Sequence, residues 1–365
     1  MNGKYFIYIE TYGCSANKNN SEILAGLLKQ SGYEITSNEK ISDILIINTC
    51  IVKGKTESKI KRRIQDLSRL YPKKLMIIAG CMPETDLYSL KKINPHALLL
   101  GIHHFKDIVR LIMDFKEDKL NEKKQKEFLS LKNEEKLLLP KIPNNRLISI
   151  IQISEGCLGE CGFCKTRLAK GKLFSYNMEN ILKTIESDIQ AGAKEIWLTS
   201  QDCASYGLDM DKQEKLPELM KQILGLNHRF KLRLGMMNPN HLYPILNEMI
   251  ETYHHPKIYK FLHIPIQSAS NKILKDMNRK YKIELAEQII MKFKKEFPDI
   301  TIATDIIVGY PTETEEDFQK NLEFIKKFKP DVLNLSKFSS HKQTPAGKLI
   351  PLDKEIINKR TSQLM

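Results

Sequence analysis

Two features found in many chains are missing from this sequence of 365 residues. A membrane-spanning helix needs roughly 18 or more consecutive apolar residues, and no such run occurs. The amino terminus also lacks the apolar core of a signal peptide, because the run at 5–9 has only strand length and is filled by β-branched and aromatic residues. We therefore expect a cytoplasmic protein with no membrane partner.

Cysteine is sparse, and acidic residues are outnumbered. The 7 cysteines are dispersed along the chain, which fits a reducing compartment better than a disulfide scaffold. The 58 Lys and Arg residues exceed the 44 Asp and Glu residues and give a formal net charge of +14. Such an excess favours a polyanionic partner, because neutralising phosphates releases condensed counterions. A lysine-rich composition alone would give a similar charge, so charge by itself does not identify nucleic acid as the partner.

The most informative stretch is a cysteine motif that follows an apolar strand-like run at 147–153. Cys157, Cys161 and Cys164 have the spacing C-x3-C-x2-C in a glycine-punctuated loop. A [4Fe-4S] cube has four irons, so three cysteine ligands leave one iron open for another ligand. A structural zinc site is the alternative, but it normally needs a fourth Cys or His, and residues 165–169 supply none. The spacing therefore favours a three-ligand cluster.

Residues 1–114 alternate between predicted strands and helices. Continuous apolar strands separated by helices indicate a doubly wound parallel sheet. Cys14, Cys50 and Cys81 each lie just beyond the carboxyl end of one of these strands, which is the edge where open α/β sheets build their sites. Small apolar residues at strand ends are the alternative, but the shared position favours a second three-ligand cluster. The strands are expected at 5–9, 43–48 and 75–79, and the helices at 21–30, 56–70 and 105–113.

The rest of the chain predicts a linker, a barrel and a tail. Residues 115–146 are rich in Lys and Glu and are interrupted by two prolines, which indicates a partly helical, charged linker. Residues 147–340 contain about six strand–helix units, which predict a partial (β/α)6 TIM-like barrel. Residues 341–365 form a carboxyl-terminal tail. The barrel strands are expected near 147–153, 195–199, 230–235, 259–264, 301–307 and 331–336.

Polar residues follow several of the predicted barrel strands. In such barrels the chemistry lies at the carboxyl ends of the strands. Gln201 follows the second strand and Gln267 the fourth, so both are predicted to contact a ligand at that face. Cys203 is the odd seventh thiol, and we expect it to be a small buried residue rather than a metal ligand.

Both cysteine sets, with several later signatures, resemble the radical S-adenosylmethionine (SAM) methylthiotransferase family over nearly the whole chain. The resemblance to the radical SAM superfamily lies in the C-x3-C-x2-C motif, with Phe163 directly before its last cysteine. Residues 165–171, 198–202 and 235–239 are most similar to the archaeal and eukaryotic branch of the family. The other matching segments are 13–17, 48–50, 80–84, 263–268, 277–279 and 304–311.

The resemblance implies an enzyme that adds a methylthio group to carbon 2 of N6-threonylcarbamoyladenosine at position 37 of tRNA. It implies two [4Fe-4S] clusters, SAM, an electron donor and the tRNA anticodon loop as partner, and we expect a monomer. The alternatives are a substrate of another branch (N6-isopentenyladenosine in tRNA or a ribosomal-protein aspartate), another two-cluster radical SAM enzyme, or a metal-stabilised RNA-binding module. The small RNA-binding TRAM domain that usually ends the family is expected to be absent here.

The resemblance also implies a SAM site over the mouth of the barrel. Ser200 and Gln201 would reach the methionine end of SAM, and Arg233 is the candidate to pair with its carboxylate because the planar guanidinium suits a carboxylate. Phe163 would pack near the adenine, and Gln267 with the Val308 backbone would complete the site.

A two-stage reaction is implied as well. One SAM would methylate sulfur held by the amino-terminal cluster, and a second SAM, cleaved at the other cluster, would supply the radical that abstracts hydrogen from carbon 2. The tRNA phosphates would meet a basic helix after Cys50, unless that helix is only a solvated charged face. Its basic residues are Lys59, Lys61, Arg62 and Arg63.

Overall fold

The structure is a computed structural model that describes residues 5–365, so the first four residues of the predicted amino-terminal domain lie outside it. Its first unit comprises Met1–Gln152 and Lys165–Gly171, and its second comprises Ile153–Cys164 and Lys172–Met365. Within the described range, no helix combines the length and the apolarity that a membrane crossing needs.

The first unit is built on a parallel sheet of five strands in the order β2-β1-β3-β4-β5. The strand order reverses direction between the neighbouring strands β1 and β3. The carboxyl ends of these two strands therefore form a topological switch point. β3 is buried along its whole length. The strands are β1 (Phe6–Thr11), β2 (Glu34–Thr36), β3 (Ile44–Thr49), β4 (Leu75–Gly80) and β5 (Leu98–Gly101). The helices are α1 (Ser15–Gln30), α2 (Gly54–Leu70), α3 (Met82–Ile93), α4 (Ile108–Lys116) and α5 (Glu122–Glu127).

The parallel sheet predicted for this unit is confirmed, with differences at the helix starts. α1 begins at Ser15, well before the predicted start at Ser21, because its first turns bury asparagines that interrupt the apolar periodicity. α3 was not predicted from the sequence; its first turn contains Pro83, and it is kinked at Asp86. Proline is compatible with a first helical turn, since the N–H that it lacks would have no partner there. The short strands β2 and β5 were missed too.

The charged segment 115–146 packs against the edge of this sheet. Gln125 of α5 accepts a hydrogen bond from the Leu99 amide (3.2 Å) and donates one to the Leu99 carbonyl (2.7 Å). Phe128 is fully buried, and its carbonyl accepts a hydrogen bond of 2.8 Å from Gly101. The Lys and Glu residues of this segment therefore cover an outer face, while a few apolar residues enter the core. The domain boundaries given above remain a prediction.

The first unit is completed by a helix from later in the chain, α6 (Thr166–Lys170). Ala169 is fully buried in the same hydrophobic core as Cys50 and Cys81. Its carbonyl lies 3.0 Å from Nε2 of His103. The Lys165 side chain is 5% exposed, and its ammonium pairs with Glu57 of α2 (3.1 Å) and Asp86 of α3 (2.6 Å). Burial of one small side chain and two ion pairs hold α6 in this unit.

Strands occur at all six predicted barrel positions, beginning with β6 (Ile148–Gln152) at the end of the first unit. In the second unit β9 pairs in parallel with β10, and β12 lies between β11 and β13 in a parallel set of three. β7 (Ser154–Glu155) and β8 (Phe174–Ser175) form an antiparallel pair. The longer strands are β9 (Glu195–Thr199), β10 (Lys231–Arg233), β11 (Phe261–His263), β12 (Thr301–Val308) and β13 (Val332–Lys337). The helices are α7 (Met178–Gln190), α8 (Leu216–Leu224), α9 (Pro239–Leu242), α10 (Leu246–Tyr253), α11 (Asn271–Asp276), α12 (Ile283–Glu296), α13 (Glu315–Phe328) and α14 (Lys354–Gln363).

The predicted tail, 341–365, contains the packed helix α14. Its Ile357 is buried, and its Arg360 is only 5% exposed. Nη1 of Arg360 donates to a carboxylate oxygen of Glu313 (2.8 Å) and to the Glu313 carbonyl (3.1 Å). The Gly309 amide donates to the same oxygen, Oε2, at 2.9 Å, and the Asn321 side chain donates to Oε1 at 3.5 Å. α14 is therefore part of the core of the second unit. Its Arg360 is linked through the Glu313 carboxylate to Gly309, the residue after β12.

Candidate functional site

Three cysteines of the first unit stand at one edge of its sheet. Cys14 follows β1, Cys50 follows β3 and Cys81 follows β4, and these three strands are neighbours. The register pairs Thr11 with Asn48 and Thr49 with Gly80, so the three strands end nearly level. Cys14 and Cys50 flank the switch point, the position where open α/β sheets bind ligands.

Close packing fixes the surroundings of Cys50. Gly13 has a φ of +105°, and a Cβ at this position would lie 2.7 Å from Cβ and 2.8 Å from Sγ of Cys50. Only glycine fits both the backbone conformation and the space. Asn17 donates hydrogen bonds of 2.8 Å to the carbonyls of Tyr12 and Thr49, which ties the loop after β1 to the end of β3.

The Cys50 thiol is electrostatically unfavourable as a thiolate in the absence of a cation. Burial raises the pKa of the Cys50 thiol, and its neighbour Cys14 raises it further, against the backbone amides of Val52 and Ile51. Cys50 and Cys81 are each 4% exposed, whereas Cys14 is open to solvent. A positively charged metal centre would reverse this preference, because thiolates are its ligands.

The other three cysteines lie in the loop after β7, in the second unit. The Gly159 amide donates to Sγ of Cys157 at 3.2 Å. A Cβ on Gly159 would stand 3.4 Å from Sγ of Cys157 and 3.7 Å from Sγ of Cys161, so the loop passes close between these two sulfurs. Burial raises the pKa of Cys157 to about 12, and the charges of Asp202, Cys164 and Cys161 add to this effect. These sulfurs are near enough to repel each other as thiolates.

The second donor set, and two of the three cysteines of the first, have the neighbouring placement that an iron–sulfur cluster needs. In the described part of the chain, no three His, Cys, Asp or Glu side chains converge closely enough to hold a single metal ion. A [4Fe-4S] cube bound by cysteine thiolates has its ligands on different irons, so it needs neighbouring sulfurs rather than converging ones. Cys157, Cys161 and Cys164 have this relation within the second unit, as Cys14 and Cys50 have within the first.

The residues predicted to contact SAM near the second strand are partly buried. Ser200 is 5% exposed, and its Oγ accepts a hydrogen bond of 2.9 Å from the Asp202 amide. Oε1 of Gln201 is buried with no hydrogen-bond partner among the described residues. A buried polar atom normally has a partner, so Oε1 of Gln201 is suited to a bound polar ligand. Cys203 is fully buried, as predicted, and accepts a weak contact of 3.7 Å from Oγ of Ser200.

The remaining predicted SAM contacts have varied surroundings. Gln267 has a φ of +67° and exchanges backbone hydrogen bonds with β12 through Asp305 and Ile307. The Val308 carbonyl already accepts a hydrogen bond of 2.8 Å from Phe338. Phe163 packs against the small core cluster that contains Met277 and Tyr310.

Arg233 is held by aromatic rings. Its guanidinium lies 4.8 Å from the ring centroid of Trp197 and 4.4 Å from that of Phe261. Burial lowers the pKa of Arg233. Pairing of Arg233 with a SAM carboxylate remains a prediction.

Sequence reasoning missed two polar groups near the second cysteine set. Oδ2 of Asp202 lies 2.6 Å from Nδ1 of His241, and these residues are 39 positions apart without a shared motif. Nη1 of Arg279 donates to Sγ of Cys161 at 3.6 Å. Arg279 belongs to the family-like segment 277–279, which was the one signal in the sequence that could have pointed to it.

The basic helix α2 is only partly available to a polyanion. Lys61 pairs with Glu57 (3.2 Å), and Arg63 pairs with Glu10 (2.9 Å) and with Glu39. Lys59 and Arg62 are exposed. The structure thus leaves half of the predicted phosphate-binding residues at the surface and uses the other half in ion pairs.

Comparisons with known proteins match both halves of the chain. Residues 6–101 match the model described as Uncharacterized protein family UPF0004, and residues 151–325 match the Radical SAM superfamily. A probable threonylcarbamoyladenosine tRNA methylthiotransferase of Pyrococcus horikoshii is 39% identical over 369 residues, which cover 98% of this chain and 82% of that protein. Its counterpart in Archaeoglobus fulgidus is 40% identical with the same coverage. The human threonylcarbamoyladenosine tRNA methylthiotransferase is 35% identical over 98% of this chain and 61% of its own length.

Solved structures share the fold at much lower identity. TsrM, a radical SAM methyltransferase of Kitasatospora setae solved with its tryptophan substrate and a SAM analogue, has a TM-score of 0.68 at 14% identity, over 94% of this chain and 75% of that one. OxsB, a cobalamin-dependent SAM radical enzyme, has a TM-score of 0.60 at 12% identity, over 99% of this chain and 56% of that one. These similarities concern the fold alone. The predicted fold class, a parallel-sheet domain followed by a radical SAM domain, is confirmed.

Proposed function

Because the chain belongs to the family of threonylcarbamoyladenosine tRNA methylthiotransferases, we propose that it adds a methylthio group to carbon 2 of N6-threonylcarbamoyladenosine at position 37 of tRNA. The chain is a transferase of the radical SAM type. Its cofactors are SAM and two [4Fe-4S] clusters. The observation that supports this most is the presence of two three-cysteine sets, one spread over the ends of three neighbouring strands and the other in the single loop after β7.

The assignment of ligands follows the two units. Cys157, Cys161 and Cys164 would hold the cluster that binds SAM, and we call it the SAM cluster. Cys14, Cys50 and Cys81 would hold a second, auxiliary cluster. When bound, the SAM cluster supplies the electron that cleaves SAM, and the auxiliary cluster supplies a site for sulfur, chemistry that amino-acid side chains do not provide.

The protein's own residues bind and orient the cofactors. Gly13 and Asn17 fix Cys50 at the switch point, and the Gly159 amide orients Sγ of Cys157. The buried Oε1 of Gln201 would accept a hydrogen bond from SAM, with Ser200, Gln267, Phe163, Arg233 and the Val308 backbone as the other predicted contacts. Lys59 and Arg62 are the exposed cations of α2 that would meet phosphates of the anticodon loop.

Iron content and SAM cleavage test the division between the clusters. The reconstituted protein should contain about eight irons per chain, which is the content of two [4Fe-4S] clusters. The triple variant Cys14→Ala, Cys50→Ala, Cys81→Ala should keep about half of that iron and should still form 5′-deoxyadenosine. It should not modify tRNA. A triple variant that cannot form 5′-deoxyadenosine would show that the two sets do not divide the work in this way.

A label experiment tests the two-stage reaction. Incubation with methyl-labelled SAM and no reductant should label the protein, because the methyl transfer needs no radical. Addition of reductant and tRNA that carries N6-threonylcarbamoyladenosine should move the label to the tRNA. The matched control is the triple Cys→Ala variant of the auxiliary set, which should not take up the label. Label that reaches tRNA without passing through the protein would contradict the scheme.

A further inference from the structure

The segment Met277, Asn278 and Arg279, directly after α11, holds the loop of the second cysteine set at three successive residues. The Met277 carbonyl accepts a hydrogen bond of 2.9 Å from the Gly162 amide. The Asn278 side chain donates to the Glu160 carbonyl at 2.8 Å. Arg279 donates to Sγ of Cys161 at 3.6 Å, and Cys161 lies between Glu160 and Gly162 in the loop. The contact to sulfur is thus part of an ordered pairing of two chain segments.

The backbone conformation of Asn278 supports this pairing of the two segments. Its φ is +57°, in the left-handed region, which Asn tolerates better than most residues because its short side chain can bond locally. This conformation places the backbone of residues 277–279 in a sharp turn after α11. The turn allows three consecutive residues to face the same loop.

The Arg279 side chain is partly buried, and its guanidinium makes several hydrogen bonds. Nη2 donates to the Pro265 carbonyl (2.8 Å) and the Tyr281 hydroxyl (3.2 Å). Nε is buried and has no hydrogen-bond partner among the described residues. The guanidinium stays charged in this position, because arginine is not deprotonated in proteins. A buried charged donor that lacks an acceptor costs free energy, so the Arg279 side chain is held in place by its Nη1 and Nη2 contacts and not by Nε.

We propose that Arg279 is a positioning residue that raises the reduction potential of the SAM cluster by donating a charge-assisted hydrogen bond to Sγ of Cys161. This inference rests on the cluster assignment of the proposed function. Reduction adds one negative charge to the cluster, and a buried cation with an N–H directed at a ligand sulfur stabilises the more negative state. Hydrogen bonds to the sulfurs and local charge are among the factors that set the potentials of such clusters, and they act strongly at low dielectric constant.

The test is a potentiometric titration followed by electron paramagnetic resonance. The triple Cys→Ala variant of the auxiliary set serves as parent, so that only the SAM cluster is observed. Arg279→Gln should lower the ratio of reduced to oxidised cluster about tenfold at a fixed potential, which corresponds to about 59 mV for one electron. Arg279→Lys keeps the charge and loses the planar donors, so its cluster should have a reduction potential between those of the parent and Arg279→Gln. Lys280→Gln is the matched control, since Lys280 is exposed and bonds to Asn278, and it should keep the parental potential.

The outcomes separate this inference from the proposed function. A parent that binds no cluster at all would remove the cluster assignment itself. If Arg279→Gln keeps its iron and the parental potential, the inference is overturned and the assignment stands. If Arg279→Gln cannot retain iron, the parent protein labelled with 15N-arginine provides the test. A 15N hyperfine coupling to the reduced cluster that is lost in Arg279→Lys supports the inference. Absence of this coupling in the parent overturns it.

Discussion

Nζ of Lys165 lies 2.6 Å from Oδ2 of Asp86, although 79 residues separate them in the chain. Lys165 directly follows the last cysteine of the C-x3-C-x2-C motif, yet its two acidic partners, Asp86 and Glu57, belong to the helices that follow Cys81 and Cys50. The Lys165 side chain is 5% exposed. An ion pair in this position ties the start of α6 to the edge of the sheet that carries the first cysteine set.

The Lys165–Asp86 pair should make stability depend on acid. Burial alone would raise the pKa of Asp86, but the hydrogen bond and charge of Lys165 lower it overall. The contribution of this pair to the free energy of unfolding should be complete above the pKa of Asp in the unfolded state, about 3.9. It should be lost as the pH falls through the lower pKa of Asp86 in the folded state. Asp86→Asn should therefore lose about 1.5–3 kcal/mol at neutral pH, the range for a hydrogen bond to a charged group, and less at low pH.

Urea denaturation across a pH series measures this effect. Asp66→Asn is the matched control, because Asp66 pairs with an arginine on the same helix that is 73% exposed, and exposed pairs contribute at most about 1 kcal/mol. A loss of the same size at both positions would show that burial of Lys165 is not the cause.

The buried pair of Arg360 and Glu313 should be essential to the second unit. The Glu313 side chain is 0% exposed, and that of Arg360 is 6% exposed. Arg360→Met would leave a buried carboxylate without its cation, which costs about 3–5 kcal/mol. The free energy of unfolding from urea titrations should fall by that amount. Lys327→Met, which breaks an ion pair whose lysine is 57% exposed, should change it by less than about 1 kcal/mol; equal losses would contradict the prediction.

Gly13 and Gly32 allow steric contact to be separated from backbone strain. Both have positive φ, +105° and +88°, but a Cβ on Gly13 would meet Cys50, whereas one on Gly32 would meet nothing within 4 Å. Gly32→Ala should cost only the strain of about 1–2 kcal/mol. Gly13→Ala should in addition displace Cys50 and reduce the iron content by about half, the share of one of two equal clusters. Full iron content in Gly13→Ala would show that the loop has room to adjust.

Gln201 should affect SAM binding without affecting stability. Its Oε1 is buried with no partner in the described part of the chain, so Gln201→Leu removes no hydrogen bond within the protein. Loss of a hydrogen bond to SAM worth about 0.5–1.5 kcal/mol should weaken SAM binding up to about tenfold, measured by calorimetry on the reconstituted protein. Gln222→Leu, at an exposed position on α8, is the control. An unchanged affinity in Gln201→Leu would exclude Gln201 from the SAM site.

The sequence indicated those parts of the fold that depend on local pattern. The apolar runs of β1, β3 and β4 and the position of a cysteine after each of them could be predicted, because both depend on neighbouring residues. β2 has only three residues, and α3 has a proline in its first turn and is kinked at Asp86, so neither has a regular period. The contact between Arg279 and Cys161 could not be predicted, since 118 residues separate them and only the folded chain brings them together.

The insertion of α6 into the first unit has a consequence for how the chain can fold during synthesis. A ribosome makes the sheet strands first, but the core around Cys50 and Cys81 lacks Ala169, and Asp86 lacks Lys165, until residues 165–171 have emerged. Domains generally fold as units as they are made, so this one must wait for the whole cysteine loop to be translated. A fragment that ends at residue 152 would expose apolar surface and would leave Asp86 and Glu57 with Lys61 but without Lys165. We expect it to aggregate, while a fragment extended through Gly171 would contain every residue of the unit.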